Sequence, residues 1–265
     1  MTNSTTTGTI PYPRHPESLP TQEQRSGRYL LRFARNQRDL DRITKLRFEV
    51  FNLEIGEGLQ GSWEHCRDQD EFDPYCHHLM VIERESDEVV GTYRLQTYAM
   101  AQDGRGFYSD DEFDLSPLAP ILPESVELGR ACIAREHRNQ RVLFLLWRGL
   151  ATYVSTNEQR YFFGCCSLTG QDPVTAQQAH EHLANHDYLH PTFCTPARPA
   201  YAAPSVPLDD DAPGAEIPPL MQLYLDYGAM IVSPAAIDTR FNTIDFLALF
   251  DVAGLDPRVR RMFFD

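Results

Sequence analysis

Lysine is almost missing from this 265-residue chain. Lys45 is the only one, so Schiff-base chemistry has a single candidate and is set aside. No run approaches the roughly 18 apolar residues of a membrane span. The first 28 residues are polar, rich in Thr, Ser and Pro, and carry no apolar secretory segment. The six cysteines (66, 76, 132, 165, 166 and 194) include no Cys-x-x-Cys pair. They are expected to be reduced thiols of a cytoplasmic protein, several of them core residues. Positive charge is scarce as well. At a net charge of −14 nothing global attracts a phosphate backbone, which argues against a general nucleic-acid binder.

One stretch inverts that balance. Between Arg130 and Arg148 five arginines (130, 135, 138, 141 and 148) stand against one acid, Glu136. The stretch begins as a strand, Val126 to Ile133, that alternates charged and apolar residues as far as Ala131. A polar, arginine-rich turn follows from Arg135 to Arg141, then an apolar helix from Val142 to about Val154. Strand, basic turn and helix start together present free backbone N–H groups and the positive end of a helix dipole to an anion. A solvated helix end accounts for the composition equally well.

The remaining pattern is that of one mixed α/β domain, residues 28–265, behind a disordered tail, residues 1–27. Arg28 to Ala34 is a first strand. Leu40, Ile43, Leu46, Val50 and Leu53 recur at helical spacing, which places Arg47 and Phe51 on one helical face. An acidic loop, Glu54 to Tyr75, precedes a hairpin of His78 to Glu83 and Val89 to Tyr98. After the central strand, turn and helix come a buried strand at Tyr161 to Leu168 and a helix from Asp172 to about His186. A Pro- and Ala-rich loop from about 191 to 219 leads to a short helix, Leu220 to Tyr227. Strands at Ala229 to Val232 and around Asp245 to Phe250 end the pattern.

This order, with a basic turn after the fourth strand, resembles the GCN5-related N-acyltransferase fold. Arg47, Phe51, Asp70, Asp73, Arg94, Phe107, Glu127 and Arg130 are similar in spacing to polar and aromatic positions of the acyl-homoserine-lactone synthases, and Trp63 is a looser match. The strings DEFDPYCHHLMV, FYSDDEFDLSPL, ELGRACIAREHRNQRV and AIDTRFNTIDFLALFD resemble the bacterial ornithine N-acyltransferases, over about Arg28 to Phe264. The resemblance implies transfer of a long, 3-hydroxylated acyl chain from the phosphopantetheine thioester of acyl carrier protein to the α-amine of an amino acid. Ornithine is the leading acceptor. Glycine, another amino acid, or a lactone-synthase-like use of S-adenosylmethionine are the enzymatic alternatives, and a non-catalytic acyl-carrier or lipid binder is the other. One position departs from the family: relatives often read Arg-Asn-Gly where this chain has Arg138-Asn139-Gln140.

That chemistry assigns expected roles. An amine attacks a thioester only when unprotonated, and Glu127 is the candidate base, directly or through one water. Arg130, Arg47 or Arg94 would pair with the substrate carboxylate or fix the acids. Asp70 and Asp73 would hold the cationic acceptor, and Phe51, Phe107 and Trp63 would line the substrate site and acyl channel. Backbone N–H groups around Ala131 to Ile133 would stabilise the tetrahedral intermediate. Ile133, Arg138, Asn139, Arg141 and Val142 would hold the pantetheine arm. No permanently bound cofactor and no metal is expected. His182, His186 and His190 recur every four residues, but no acid or cysteine is placed to complete a site. Cys165, Cys166 and Ser167 read as buried strand residues. Contact with the membrane is expected to be peripheral at most, through no cationic amphipathic helix.

Overall fold

Nine strands hydrogen-bond into one sheet in the computed structural model, which describes residues 11–208 and 214–264. They are β1 (Gln24–Ser26), β2 (Tyr29–Phe33), β3 (His77–Glu83), β4 (Glu88–Thr97), β5 (Ser125–Ile133), β6 (Tyr161–Thr169), β7 (Met230–Ile231), β8 (Ala236–Asp238) and β9 (Thr243–Asp251). The order across the sheet is β1-β2-β3-β4-β5-β6-β9-β7, with β8 also pairing β9. Every pair is antiparallel except β5 with β6. Parallel neighbours need a long crossover, and here α3 (Gln140–Thr156) supplies it.

Alternation along the strands sends side chains to both faces. From β2, Leu31 and Phe33 face α3, where Leu146, Tyr153 and Val154 bury with Leu79 and Val126. Leu30 faces the other way, toward α1 (Gln37–Arg47), whose Ile43 and Leu46 pack on Met80 and Ile82. Each such buried aliphatic side chain contributes about 1.5–3 kcal/mol. Asn36 caps α1 by accepting the Asp39 N–H at 3.0 Å. Beyond Arg47 the helix widens into π-helical turns over Phe48–Ile55 and stops at Gly56, whose φ of 81° suits glycine.

Two features open the sheet at its centre. The β5–β6 pairing lasts only from Ser125↔Tyr161 to Glu127↔Phe163. Past that point β5 stays on β4, β6 stays on β9, and the two strands part. At the vertex a side chain in place of Gly164 would put its Cβ 2.1 Å from the Leu128 carbonyl oxygen. The β4–β5 register also slips, between Arg94↔Gly129 and Thr92↔Cys132. Two residues, Arg130 and Ala131, therefore oppose Tyr93 alone, and Arg130 takes φ 49°. This is a β-bulge, which re-aims a side chain and frees backbone groups.

Several expectations need correction. Residues 1–10 lie outside the described residues, but 11–27 are not a disordered tail. Tyr12 donates its hydroxyl to His78 Nδ1 at 2.9 Å, and β1 adds to the sheet edge. Their partners are distant in sequence, so local composition does not reveal them. The second hairpin strand ends at Thr97, which caps the short helix α2 (Tyr98–Asp103). β8 falls in a stretch with no strand pattern. The Pro-rich stretch is irregular as expected but tied down by bridges Phe113↔Ala197 and Ala202↔Ala236. Its Asp211 lies outside the described residues, as do Asp209 and Asp210. Helices α4 (Pro173–Asn185) and α5 (Pro219–Asp226) lie where periodicity places them. A last helix, α6 (Pro257–Phe264), is cationic, with Arg258, Arg260 and Arg261. Gln140 sits at the first helical position, outside the left-handed region, so no glycine is needed there. Among the described residues no helix is long and apolar enough to cross a membrane.

Candidate active site

The fork between β5 and β6 opens into a cavity of about 380 Å³. Leu128 to Ala131 form one wall and Phe162 to Ser167 the other. One end is apolar, closed by Trp147 of α3, Tyr224 of α5 and Phe263 of α6, whose rings cluster. The other end is charged and holds Arg130, Glu57 and Asp245.

Arg130 is the hinge of the site. Its bulged backbone turns the guanidinium between two aromatic faces, 4.1 Å from the Phe51 ring centre and 4.8 Å from that of Phe241, a cation–π sandwich. The guanidinium pairs with buried Asp68, while its Nε–H finds no partner. Phe51 therefore lines the cavity, aimed there by the π-helical turns. Glu57 follows them and accepts a hydrogen bond from the Thr169 hydroxyl across the cavity mouth. Burial raises its pKa, only partly offset by the Thr169 bond and Arg130.

Arg47, Arg94, Asp70 and Asp73 come together, but as a closed network. Arg47, fully buried, donates to Asp68 at 2.9 Å and to Asp73 at 2.7 Å. Arg94 holds both oxygens of Asp70, at 2.7 and 2.6 Å, and reaches Asp73 at 3.2 Å. His78 donates its Nε2–H to Asp73 at 3.1 Å while Nδ1 accepts from Tyr12. Burial keeps that imidazole neutral. Burial also works against charge on Asp73, yet Arg47, the His78 bond and Arg94 outweigh it and hold its pKa well below the ordinary range. Three guanidiniums (47, 94 and 130) thus face three carboxylates (68, 70 and 73). Asp70 and Asp73 have no charge to spare for a cationic substrate, and Arg47 none for a carboxylate. The network positions β3, β4 and the acidic loop.

Glu127 does not line the cavity. Its two carboxylate oxygens accept the amides of Tyr108 at 2.9 Å and Ser109 at 2.7 Å, and it is 6% exposed. Burial raises its pKa despite those bonds. It positions the 107–111 turn. Phe107 is core, edge-on to Phe163 at 5.0 Å, and Trp63 is exposed beside Phe48. Neither lines the channel.

At the basic turn, Asn139 Oδ1 accepts the N–H groups of Arg141 at 3.0 Å and Val142 at 3.2 Å, so part of the helix start is already capped. Arg138 donates to the Ile133 carbonyl and forms a two-pronged pair with Glu54 at 2.7 and 2.8 Å. Arg135, Arg138 and Arg141 are exposed on one short turn, while Val142 is core. The histidines of α4 stack, His182 on His186 at 4.1 Å, and the second bonds the carbonyl of the first. They do not converge on an ion. A different trio does converge, Glu112, Asp238 and Asp245, all buried. No spacing in the sequence joins Glu112 to the other two; only the carboxylate content of DDEFD and IDTRFNTID hinted at them.

A mostly antiparallel sheet forked at its one parallel pair, with a bulge beside the vertex, defines a GCN5-related N-acyltransferase, and the chain is an acyltransferase. Residues 46–148 match the family model described as an acetyltransferase (GNAT) domain. FeeM, an N-acyl amino acid synthase from uncultured soil microbes, shares the fold at a TM-score of 0.53 and 11% identity, over 87% of this chain and 95% of that one. Among sequence relatives, L-ornithine N(alpha)-acyltransferase of Rhodobacter capsulatus is 32% identical over 89% of this chain and 94% of its own length. The enzyme of that name from Agrobacterium fabrum is 33% identical over 88% and 84%. The chain belongs to the L-ornithine N(alpha)-acyltransferase family.

Proposed function

We propose that the enzyme moves a long 3-hydroxyacyl chain from the phosphopantetheine thioester of acyl carrier protein to the α-amine of ornithine, giving a lyso-ornithine lipid. The observation that carries this reading is the apolar cavity entered through the β5–β6 fork, with a guanidinium at its mouth and no activated nucleophile. The thiol of Cys165 lines the cavity, but burial pushes its pKa well up, so direct attack by the amine is favoured over an acyl-enzyme.

In this reading the acyl chain lies along Phe162, Leu150 and Trp147. The thioester carbonyl meets backbone N–H groups that β5 frees beyond the vertex. Arg130, with its unpartnered Nε–H, receives the acceptor's carboxylate. Glu57 takes the place first given to Glu127 as base, because it lines the cavity and burial raises its proton affinity. The amine nitrogen bonds to the carbonyl carbon, its proton passes to Glu57, and Glu57 returns that proton to the sulfur as the C–S bond breaks, releasing the pantetheine thiol. Arg135, Arg138 and Arg141 offer positive charge to the donor's phosphate and to the acidic surface of its carrier. Cationic α6 is suited to a passing contact with the membrane that receives the product.

The test is mass spectrometry of the product from purified protein, 3-hydroxyacyl carrier protein and competing amino acids, with the coenzyme A thioester as a parallel donor. N-acylornithine from the carrier donor is expected. Another amino acid conjugate would move the acceptor, and no conjugate from either donor would overturn the reading.

A further inference from the structure

With Asp70 and Asp73 neutralised, the site as described offers nothing to the second ammonium of a diamino acid. The carboxylates of Glu112, Asp238 and Asp245 are 1%, 2% and 3% exposed, and one oxygen of each lies within 4.8 Å of the others. No arginine or lysine pairs with any of them among the described residues; Arg240, close by in sequence, turns to Glu71 at 3.2 Å. Asp245 lines the cavity, as do Tyr108 and Phe241.

Their hydrogen bonds are incomplete in a telling way. Asp238 Oδ1 accepts the N–H groups of Arg240 at 2.7 Å and Phe241 at 3.4 Å, and Oδ2 accepts the Tyr108 hydroxyl at 3.3 Å. Asp245 Oδ2 accepts the Thr243 hydroxyl at 2.8 Å. Asp245 Oδ1 and Glu112 Oε1 are buried with no N–H or O–H donor at hydrogen-bond distance, and the Glu112 and Asp245 carboxyls interact directly with each other. A buried carboxylate oxygen without a donor is strongly disfavoured. Two such atoms beside a third acid, at the charged end of a cavity, leave a place for a group that brings donors and positive charge together.

We infer that Glu112, Asp238 and Asp245 seat the side-chain ammonium of the acceptor amino acid, with Arg130 on its carboxylate and the Phe241 ring along its methylenes. This rests on the reading that the acceptor is a diamino acid. An ammonium has three donors and can meet one oxygen of each carboxylate at once, with charge-assisted hydrogen bonds. Calcium or magnesium fits less well, because each takes six or more oxygens and three of the six here are already engaged by N–H and O–H donors. Phe241 bridges the two ends: its ring lies 4.8 Å from the Arg130 guanidinium and 6.3 Å from the Tyr108 ring, whose hydroxyl touches Asp238. Burial and, after it, mutual repulsion raise the proton affinity of Glu112, and burial that of Asp245, so the empty trio retains a proton that an ammonium would displace.

The probes are L-ornithine and L-norvaline, which share a carbon skeleton and differ by the terminal amine. Calorimetric titration of the full-length protein should show ornithine bound about 10- to 100-fold tighter than norvaline. In Asp245→Asn and Glu112→Gln the ratio should fall toward one, with melting temperatures kept or raised because like charges are relieved. Equal wild-type affinities, or an unchanged ratio in both variants, would overturn the assignment. So would a stoichiometric divalent ion in the wild-type protein that is lost in Asp245→Asn. A preference for ornithine that vanishes in the variants, in a protein that acylates no amino acid, would uphold the ammonium seat while sinking the transferase reading.

Discussion

One nitrogen of Arg94 stands 2.7 and 2.6 Å from the two carboxylate oxygens of Asp70, and the same nitrogen lies 3.2 Å from Asp73. This places Asp70 and Asp73 inside the protein's own charge balance. A pair of aspartates three apart in an acidic loop becomes scaffold because guanidiniums on β4 and α1 reach it first.

Removing one member of that network leaves charge buried without a partner, which costs about 3–5 kcal/mol. Arg47→Met should therefore lower the melting temperature by on the order of 10 °C. Thermal unfolding followed by circular dichroism measures it. A shift of under about 2 °C would show that Asp68 and Asp73 manage without Arg47.

Glu57 and Glu127 separate catalysis from positioning. Glu57→Gln should lower kcat by about 10²- to 10⁴-fold, leave the melting point in place, and remove the acid limb of the rate profile. Glu127→Gln puts an amide NH2 where an N–H must be accepted, so it should destabilise the protein by about 1–3 kcal/mol. Its rate should fall through a less ordered 107–111 turn. The reverse pattern, a stable but inactive Glu127→Gln with active Glu57→Gln, would restore Glu127 as base.

Stability should peak at mildly acidic pH. Burial, then Asp245, raises the pKa of Glu112 above the 4.5 of a free glutamate. The native state thus keeps a proton that the unfolded chain releases, and stability falls as pH rises above about 4.5. Asp68 and Asp73 are displaced downward by their arginines against the effect of burial, so stability also falls as pH drops below the ordinary carboxylate range. Urea midpoints from pH 3 to 9 should show both limbs. Glu112→Gln should flatten only the alkaline one, and an alkaline limb that survives unchanged would assign it elsewhere.

The elements with strong periodicity were legible. β2 to β6, α1, α3 and α4 lie within a few residues of their expected ends, because Leu40-Ile43-Leu46 and the apolar run YFFGCCSL each serve one buried face. The order of these elements was enough to suggest the fold. Arg130, Phe51 and Arg94 were singled out through family resemblance, and all three line the cavity. Glu127, Asp70, Asp73 and Arg47 belong to the same neighbourhood, but their burial and partners were not legible. Phe107 and Trp63 show the limit most simply: two aromatics in polar loops, one swallowed by the core and the other left outside.

By itself the sequence determined the local states: which stretches bury one face, that Asp172 begins a helix, and that lysine chemistry has a single candidate. These follow from interactions within a few residues of the chain. Only the tertiary structure decided which charges are free. Arg94 cancels Asp70 across 24 positions and Arg47 cancels Asp73 across 26, while Glu112, Asp238 and Asp245 meet with no arginine or lysine paired to them among the described residues. Whether a carboxylate is scaffold or site depends on what packs against it and how much water is excluded, and that is settled only when strands far apart in the chain lie side by side.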